Sequence, residues 1–360
     1  MRPEGPGAGN RRRVRAWAEL LRLPAVFTVP GDALAGAAAT AGRPDRRTLL
    51  AIGSSLCLYE AGMALNDWAD RAEDAMERPQ RPLPSGRVHP IAAFTAACGL
   101  TGAGLALAAR AGRPALAVAV PLAATVWAYD LALKHTPAGP AAMAAARALD
   151  LLLGAAATSG HTRAALPSAA LLGTHALAVT TVSRQETQGG SSLAPLAALT
   201  TTALLSGLLT RRPARPSAGA RGTAARGLPD ARADGAGSEA AHRRPDGHGP
   251  VGQGPVGPRD AALAPAQRHR HDSGPTGRTP ADALGRVLAA AYGVTAARPY
   301  LHATLNPSPP LTQRAVGGGI RATIPLQAAL TARSGAGLTA LLVAGLAPLG
   351  RRFARTVSVT

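Results

Sequence analysis

Residues 66–74 have the residue types and the spacing of a divalent-cation site. They read N-D-W-A-D-R-A-E-D, so an amide at Asn66 is followed by carboxylates at Asp67, Asp70 and Asp74. In a helix these four positions fall within an arc of roughly 100°, which places them on one face. Like charges four residues apart destabilise a helix, and a bound cation relieves that repulsion. Mg²⁺ takes one or two carboxylates and completes its shell with water and phosphate oxygens, so the stretch predicts a Mg²⁺ site for a diphosphate.

The simpler alternative is an ordinary solvated helix end that is rich in acidic residues. Glu60 favours the chemical interpretation, because it lies six residues earlier inside an apolar run and on nearly the same face. An ionisable group within a membrane span is expensive and normally faces a bundle interior or a cavity.

The following segment, residues 77–87, reads E-R-P-Q-R-P-L-P-S-G-R. Its three prolines and one glycine exclude a helix and predict a turning loop. Arg78, Arg81 and Arg87 supply planar donors that suit phosphate oxygens. These arginines could instead serve only as anchors at the membrane surface, but beside a metal and diphosphate site we interpret them as diphosphate ligands.

The elements that must position these residues are membrane-spanning helices. The chain is 46% hydrophobic with only 3% aromatic residues, and its apolar residues form blocks separated by short polar stretches. A span needs roughly 20 mostly apolar residues. The predicted fold is an all-α, polytopic transmembrane bundle of about nine spans. The predicted spans cover residues 16–41, 48–66, 90–110, 114–133, 139–158, 164–183, 191–210, 315–332 and 335–350, with 285–300 as a weaker tenth.

The distribution of Lys and Arg predicts the orientation of the chain in the cell membrane. The basic N-terminus, residues 1–15, and the loops after the second, fourth and sixth spans carry twice as many Lys and Arg as the short loops on the other side. Such an excess marks the cytoplasmic side. The acidic motif, at the end of the second span, is therefore expected to face the cytoplasm.

The net charge of +19 comes almost entirely from arginine. These arginines are scattered over the termini, the loops and one long insert, whereas a duplex-binding protein concentrates basic residues on one folded face. Membrane lipid, and not nucleic acid, is the partner that this pattern favours.

The chain divides into four predicted regions. Residues 1–15 form the basic N-terminus, 16–210 hold spans one to seven with the motif 66–87, and 284–360 form a C-terminal membrane segment. Between them, residues 211–283 are rich in Pro, Gly and Arg and contain too few apolar residues to form a core, which predicts disorder. Two origins remain open for this insert, a genuine loop and a stretch of coding sequence translated in the wrong frame.

The acidic motif N-D-x-x-D-x-x-x-D and the loop E-R-P-x-R-P-L-P-S-G-R resemble the first signature of the UbiA family of membrane-embedded prenyltransferases. Tyr129 and Lys134, in Y-D-L-A-L-K-H-T-P, resemble the tyrosine and lysine that follow that family's fourth helix. The resemblance implies a nine-helix bundle around a central cavity that opens to lipid. It also implies Mg²⁺-dependent prenyl transfer from a prenyl diphosphate to a lipophilic or aromatic acceptor, with Asp67, Asp70 and Lys134 in catalytic roles.

The second signature of that family, D-x-x-x-D after the sixth helix, is replaced here by S-R-Q-E-T-Q-G-G. Glu186 is its only acidic residue, and the resemblance makes it a further metal ligand on the opposite wall. Arg184 is expected to bind the diphosphate together with Lys134. This departure resembles a less characterised, EboC-like branch and makes a second Mg²⁺ and the usual aromatic acceptors doubtful.

Three more polar residues lie inside predicted spans. Arg147 and Asp150 are three residues apart and are expected to pair on one helix face, as a structural ion pair or beside a substrate. His175 is expected to have a hydrogen-bonded packing role and no catalytic role.

Two other functions remain open on the sequence alone. One is a catalytically silent protein of the same fold that binds or moves a polyprenyl lipid. The other is a cation-coupled transporter, which the position of the acidic cluster at a helix end and the lack of an internal repeat disfavour.

Overall fold

The computed structural model describes residues 6–185, 191–211 and 280–358. This part of the chain is entirely helical and contains no strand, which confirms the predicted all-α class. Its twelve α-helices are α1 Pro6–Leu20, α2 Pro30–Ala39, α3 Arg46–Ala69, α4 Arg71–Glu77, α5 Pro90–Ala111, α6 Arg113–Ala128, α7 Gly139–Ser159, α8 Leu166–Ser183, α9 Leu193–Thr210, α10 Pro280–Leu305, α11 Pro309–Arg333 and α12 Gly337–Ser358.

Six helical segments in the described ranges are long and apolar enough to cross a membrane. They correspond to the second to seventh predicted spans, and they are Arg46–Ala69, Pro90–Ala111, Arg113–Leu133, Gly139–Ser159, Arg163–Ser183 and Leu193–Thr210. The protein is therefore an integral membrane protein. The helices α10, α11 and α12 have 26, 25 and 22 residues but are not among these six segments, so the count of nine spans stays a prediction.

The first predicted span, 16–41, is wrong as a single helix. The chain leaves α1 at Leu20, Arg22 has a positive φ of 48°, and a 3₁₀ turn, Leu23–Thr28, leads into α2. Prolines begin both the turn and α2, where their fixed φ and missing N–H are tolerated. The break brings Arg22 towards the end of α3.

The helix α7 lies at the centre of the bundle and packs against α2, α3, α6 and α8. Glycines allow α2 and α7 to touch backbone to backbone. A side chain on Gly36 would collide with the Leu151 carbonyl, and one on Gly154 would collide with the backbone of Ala33. This close approach fixes the two helices relative to each other.

The predicted insert, 211–283, lies outside the described residues except for its ends. Arg211 follows α9 directly, and α10 begins at Pro280, so the last residues of the predicted insert are helical.

Candidate active site

The acidic motif spans a break between two helices. The helix α3 ends at Ala69, and Asp70, with φ −85° and ψ 2°, joins it to the short helix α4. A single helix over residues 66–74 is therefore not formed. Asn and Asp compete with helical hydrogen bonds through their own side chains, which favours such a break.

Two carboxylates of the motif converge on the loop arginines in spite of this break. Arg81 Nη1 lies 2.7 Å from Asp74 Oδ2 and 3.7 Å from Asp67 Oδ1. Arg22 lies 3.2 Å from Asp67, and Arg78 lies 3.6 Å from Asp74. Both carboxylates are buried, whereas the three arginines are partly exposed.

The third carboxylate, Asp70, forms an ion pair with Lys134 and lies 3.8 Å from His135 Nε2. Lys134 follows a π-helical turn, Tyr129–Leu133, at the end of α6. Asp70, Glu73 and His135 also present ligand atoms within 4.8 Å of one another. The structure thus brings Lys134 to the acidic motif, as expected, and adds two donors that the sequence analysis did not name.

Two other predicted diphosphate ligands have different partners. Arg87 donates to Glu19 at 2.6 Å and to the Gln80 carbonyl at 2.6 Å. The Glu19 carboxylate raises the pKa of the Arg87 guanidinium. Arg184 donates to the carbonyl of Thr136. Neither arginine pairs with Asp67, Asp70 or Asp74, and the predicted ligand Glu186 lies outside the described residues.

Asp130 is a buried, cavity-lining acidic residue that the sequence analysis missed. It lies on the π-helical turn, is only 5% exposed, and accepts a hydrogen bond from Asn66 Nδ2 at 3.3 Å. An acidic residue inside a predicted span is a functional signal in itself. The criterion that singled out Glu60 would have found Asp130.

A cavity of about 210 Å³ extends from Asn66, the first residue of the acidic motif, into the interior of the bundle. Ser55, Tyr59, Gly62 and Asn66 line it along α3, over a length of roughly 16 Å at 1.5 Å per residue. Apolar side chains of α3, α6 and α7 form most of the remaining wall. Asn66 and Arg22 stand at one end of this lining, and the other residues of the motif lie next to it. We call Asn66, Asp67, Asp70 and Asp74 together the carboxylate end.

The opposite end is built around Arg147, and we call Asp32, Ser55, Arg147 and Asp150 the arginine end. Arg147 Nη1 lies 3.0 Å from Asp32 Oδ2, and Ser55 donates to Asp150. The expected ion pair between Arg147 and Asp150 is not formed, since each residue has a partner on another helix. Gln327 Nε2 also donates to Asp32 Oδ1 at 2.6 Å.

Glu60 and His175 lie outside this cavity lining. Glu60 is buried, and neither of its carboxylate oxygens has a hydrogen-bond partner in the described part of the chain. His175 contacts the Gly319 carbonyl at 3.1 Å and the Tyr292 hydroxyl at 3.2 Å, which agrees with the expected packing role.

The sequence model of the UbiA prenyltransferase family matches residues 26–209, half of the chain. This chain belongs to the UbiA prenyltransferase family. The resemblance of the acidic motif is thereby confirmed, and the matched range includes the carboxylate end, Asp130 and the arginine end of this UbiA protein.

Curated relatives of this UbiA protein have different names. The digeranylgeranylglyceryl phosphate synthase of Methanopyrus kandleri is 36% identical over 34% of this chain and 46% of its own length. The protoheme IX farnesyltransferase of Prochlorococcus marinus is 33% identical over 42% of this chain and 48% of its own length. The chain thus spans about half the length of the curated relatives it matches.

A solved UbiA homologue from Aeropyrum pernix K1 has the same fold. It superposes with a TM-score of 0.54 at 16% identity, over 85% of this chain and 96% of that chain.

The carboxylate end fits a magnesium ion by its chemistry. Its donors are three carboxylates and the amide of Asn66, all hard oxygen ligands of the kind that Mg²⁺ prefers. Asp67 and Asp74 are 5% and 2% exposed, so they require compensating positive charge. In this structure Arg22, Arg78 and Arg81 supply that charge.

Proposed function

We propose that this protein transfers a prenyl group from a prenyl diphosphate to a lipophilic acceptor. The cavity carries this proposal, because its walls are mostly apolar and it reaches Asn66 and Arg22, beside which three carboxylates pair with arginine and lysine side chains. That arrangement is complementary to an amphiphile with a hydrocarbon tail and a charged diphosphate head. Pockets of this kind fix orientation with a few polar groups and bury the apolar remainder.

Asn66, Asp67, Asp70 and Asp74 are the residues that would hold Mg²⁺, and Glu186 stays a predicted further ligand. When bound, Mg²⁺ neutralises charge that develops on the diphosphate oxygens. The carboxylates are already gathered by shared cations, since Arg81 contacts both Asp67 and Asp74.

The arginine and lysine side chains of the site are the proposed ligands of the diphosphate. Arg22, Arg78, Arg81 and Lys134 now bind the carboxylates, and they become available to diphosphate oxygens when the carboxylates bind a metal. This exchange keeps buried charge compensated in both states. It also implies that metal and diphosphate bind cooperatively, each making room for the other.

In the proposed reaction the allylic C–O bond breaks and its electron pair leaves with the diphosphate. Arginine and lysine donors stabilise that charge in a site of low dielectric constant. The positive end of the prenyl group lies in the cavity, where the rings of Tyr59 and Tyr129 can face it. The apolar walls limit competing capture by water until a nucleophile of the acceptor forms the new bond and releases its proton.

The acceptor is proposed only by chemical class. The relatives are named for products or substrates that are lipid-soluble, so we expect a membrane-soluble acceptor that carries a nucleophilic oxygen or carbon. The excess of Lys and Arg on the N-terminal side favours a carboxylate end that faces the cytoplasm.

Purified protein in lipid nanodiscs tests the proposal. It is incubated with radiolabelled prenyl diphosphates of increasing chain length, Mg²⁺ and an extract of the source membranes. We expect diphosphate release and a labelled lipid product, both abolished by EDTA and restored by Mg²⁺. The absence of diphosphate release with every donor would reject the enzyme and favour a silent lipid-binding protein.

A further inference from the structure

The carboxylates around the carboxylate end differ in how their charge is balanced. Asp67, Asp70 and Asp74 each form an ion pair with arginine or lysine. Asp130 forms none within 4.0 Å among the residues that the structure describes, although it is 5% exposed. A buried carboxylate without a cationic partner is costly, so a missing positive charge is expected close to it.

The position of Asp130 adds a second observation. Its only hydrogen-bond partner in the described residues is the amide of Asn66, which belongs to the acidic motif. Both residues line the same cavity, from different helices. One amide and one carboxylate therefore line this cavity at the point where the acidic motif begins.

The local backbone keeps the space beside this carboxylate open. Gly62, one turn before Asn66, faces Asp130, and a Cβ there would lie 3.7 Å from Asp130 Oδ2 and 2.9 Å from Val126 Cγ1. Asp130 itself lies on a π-helical turn, a local irregularity that is frequent at functional sites. A larger residue at position 62 would fill the gap between α3 and the turn that carries Asp130.

We propose that Asp130 is a ligand of the Mg²⁺ in the proposed function and joins the acidic motif from the facing helix. This inference rests on the proposed function, because it requires a divalent cation at the carboxylate end. It assigns to the cation the cavity-lining carboxylate next to Asn66, which forms no ion pair with arginine or lysine among the described residues. It also gives the Asn66 side chain a second role besides the proposed ligand oxygen, because its amide nitrogen holds Asp130 beside the motif.

Binding of Mn²⁺, measured by electron paramagnetic resonance in the presence of inorganic pyrophosphate, tests the inference without turnover. Asp130→Asn is expected to weaken Mn²⁺ binding at least ~10-fold, since it removes a charged ligand and nearly preserves side-chain size. Glu60→Gln is the matched control, because it also neutralises a buried intramembrane carboxyl but lies outside the cavity lining. We expect Glu60→Gln to bind Mn²⁺ like the unaltered protein.

The outcomes separate the inference from the proposed function. If the unaltered protein does not bind Mn²⁺ with pyrophosphate, the metal-dependent function itself is rejected. If the unaltered protein binds Mn²⁺ and Asp130→Asn binds it equally well, only the role of Asp130 is rejected.

A second variant covers the case in which Asp130→Asn does not fold. Asp130→Cys replaces the oxygen ligand with a thiolate, which prefers softer metals. We expect its affinity for Cd²⁺ relative to Mn²⁺ to rise at least ~10-fold above that of the unaltered protein, which already contains Cys57 and Cys98. An unchanged ratio of the two affinities would overturn the assignment.

Discussion

The two ends of the cavity use the same residue types in different ways. At the carboxylate end, Arg22, Arg78 and Arg81 have side chains that are 42%, 44% and 24% exposed. At the arginine end, Arg147 is 16% exposed, and its partner Asp32 is completely buried. Partly exposed pairs can exchange a carboxylate for a phosphate, whereas buried pairs on interlocked helices cannot separate without cost. We therefore expect accessibility, and not residue type, to distinguish the proposed binding site at the carboxylate end from a structural cluster at the arginine end.

The largest effect is expected at the carboxylate end. Asp67→Asn or Asp70→Asn should reduce prenyl-diphosphate turnover at least ~10³-fold, because either change removes a charged metal ligand worth several kcal/mol in the transition state. Membrane insertion should be unchanged. Turnover assays and detergent-solubilised yield test this, with Glu77→Gln as the control carboxyl in the exposed part of α4. Full activity of both aspartate variants would remove the metal assignment.

A substitution at the arginine end is expected to lower the free energy of unfolding. Arg147→Met leaves the buried carboxylate of Asp32 without its cation, and we expect a loss of about 3–5 kcal/mol in the free energy of unfolding. Thermal unfolding in detergent measures it, and Arg110→Met, at an exposed position of α5, is the control. An Arg147→Met protein of unchanged stability but low activity would place this end in the chemistry instead.

Arg81 and Arg87 lie in the same loop but are expected to differ in their effect on the KM for the prenyl diphosphate. Arg81→Met should raise the KM for the prenyl diphosphate about 10-fold, since Arg81 contacts two carboxylates of the motif. Arg87→Met should have a smaller effect on KM, because Arg87 is held by Glu19. Steady-state kinetics with one prenyl diphosphate compare the variants. An effect of Arg87→Met equal to that of Arg81→Met would restore the prediction made from the sequence alone.

The smallest effect is expected at Asp45, a surface carboxylate that belongs to neither end of the cavity. Asp45 caps α3 through the Thr48 backbone N–H at 2.9 Å, and this hydrogen bond lowers the pKa of the Asp45 carboxyl. Asp45→Ala should cost about 1 kcal/mol of stability.

The pH dependence of that contribution has a defined sign. A lowered pKa in the folded state means that the charge of Asp45 stabilises the fold above the unfolded pKa of about 3.9 and loses this effect as the pH falls through the folded value. Asp45→Asn keeps a capping group without the charge. The difference in thermal stability between the unaltered protein and Asp45→Asn should therefore disappear in acid, and a constant difference would contradict the charge effect.

The sequence predicted the parts of the site that depend on local spacing. Asp67, Asp70 and Asp74 lie in one region because they are close in sequence, although the helix breaks at Asp70, and the prolines that follow dictate a loop with Arg81 near them. The second to seventh spans were also predictable, since length and hydropathy define them.

The remaining features depend on tertiary packing. Arg22 reaches Asp67 because the first predicted span is broken, which hydropathy does not reveal. Arg147 has a neighbour at Asp150 on its own helix but pairs with Asp32 of α2, since close glycine contacts bring α2 to that side. No local pattern in the sequence encodes a choice between two equally suitable carboxylates.

The bond between Gln327 and Asp32 has a consequence for the order in which the protein assembles. It joins residues 295 positions apart, and α2, with ten residues, is about half as long as a bilayer-spanning helix. On emerging from the ribosome, α2 has neither Arg147 nor Gln327 to satisfy its carboxylate. Both partners of Asp32 are therefore synthesised after α2, Arg147 with α7 and Gln327 with α11. A nascent chain that has reached the end of α9 already contains all the described residues of the carboxylate end and the ion-pair partner of Asp32, but it still lacks Gln327, which donates the hydrogen bond.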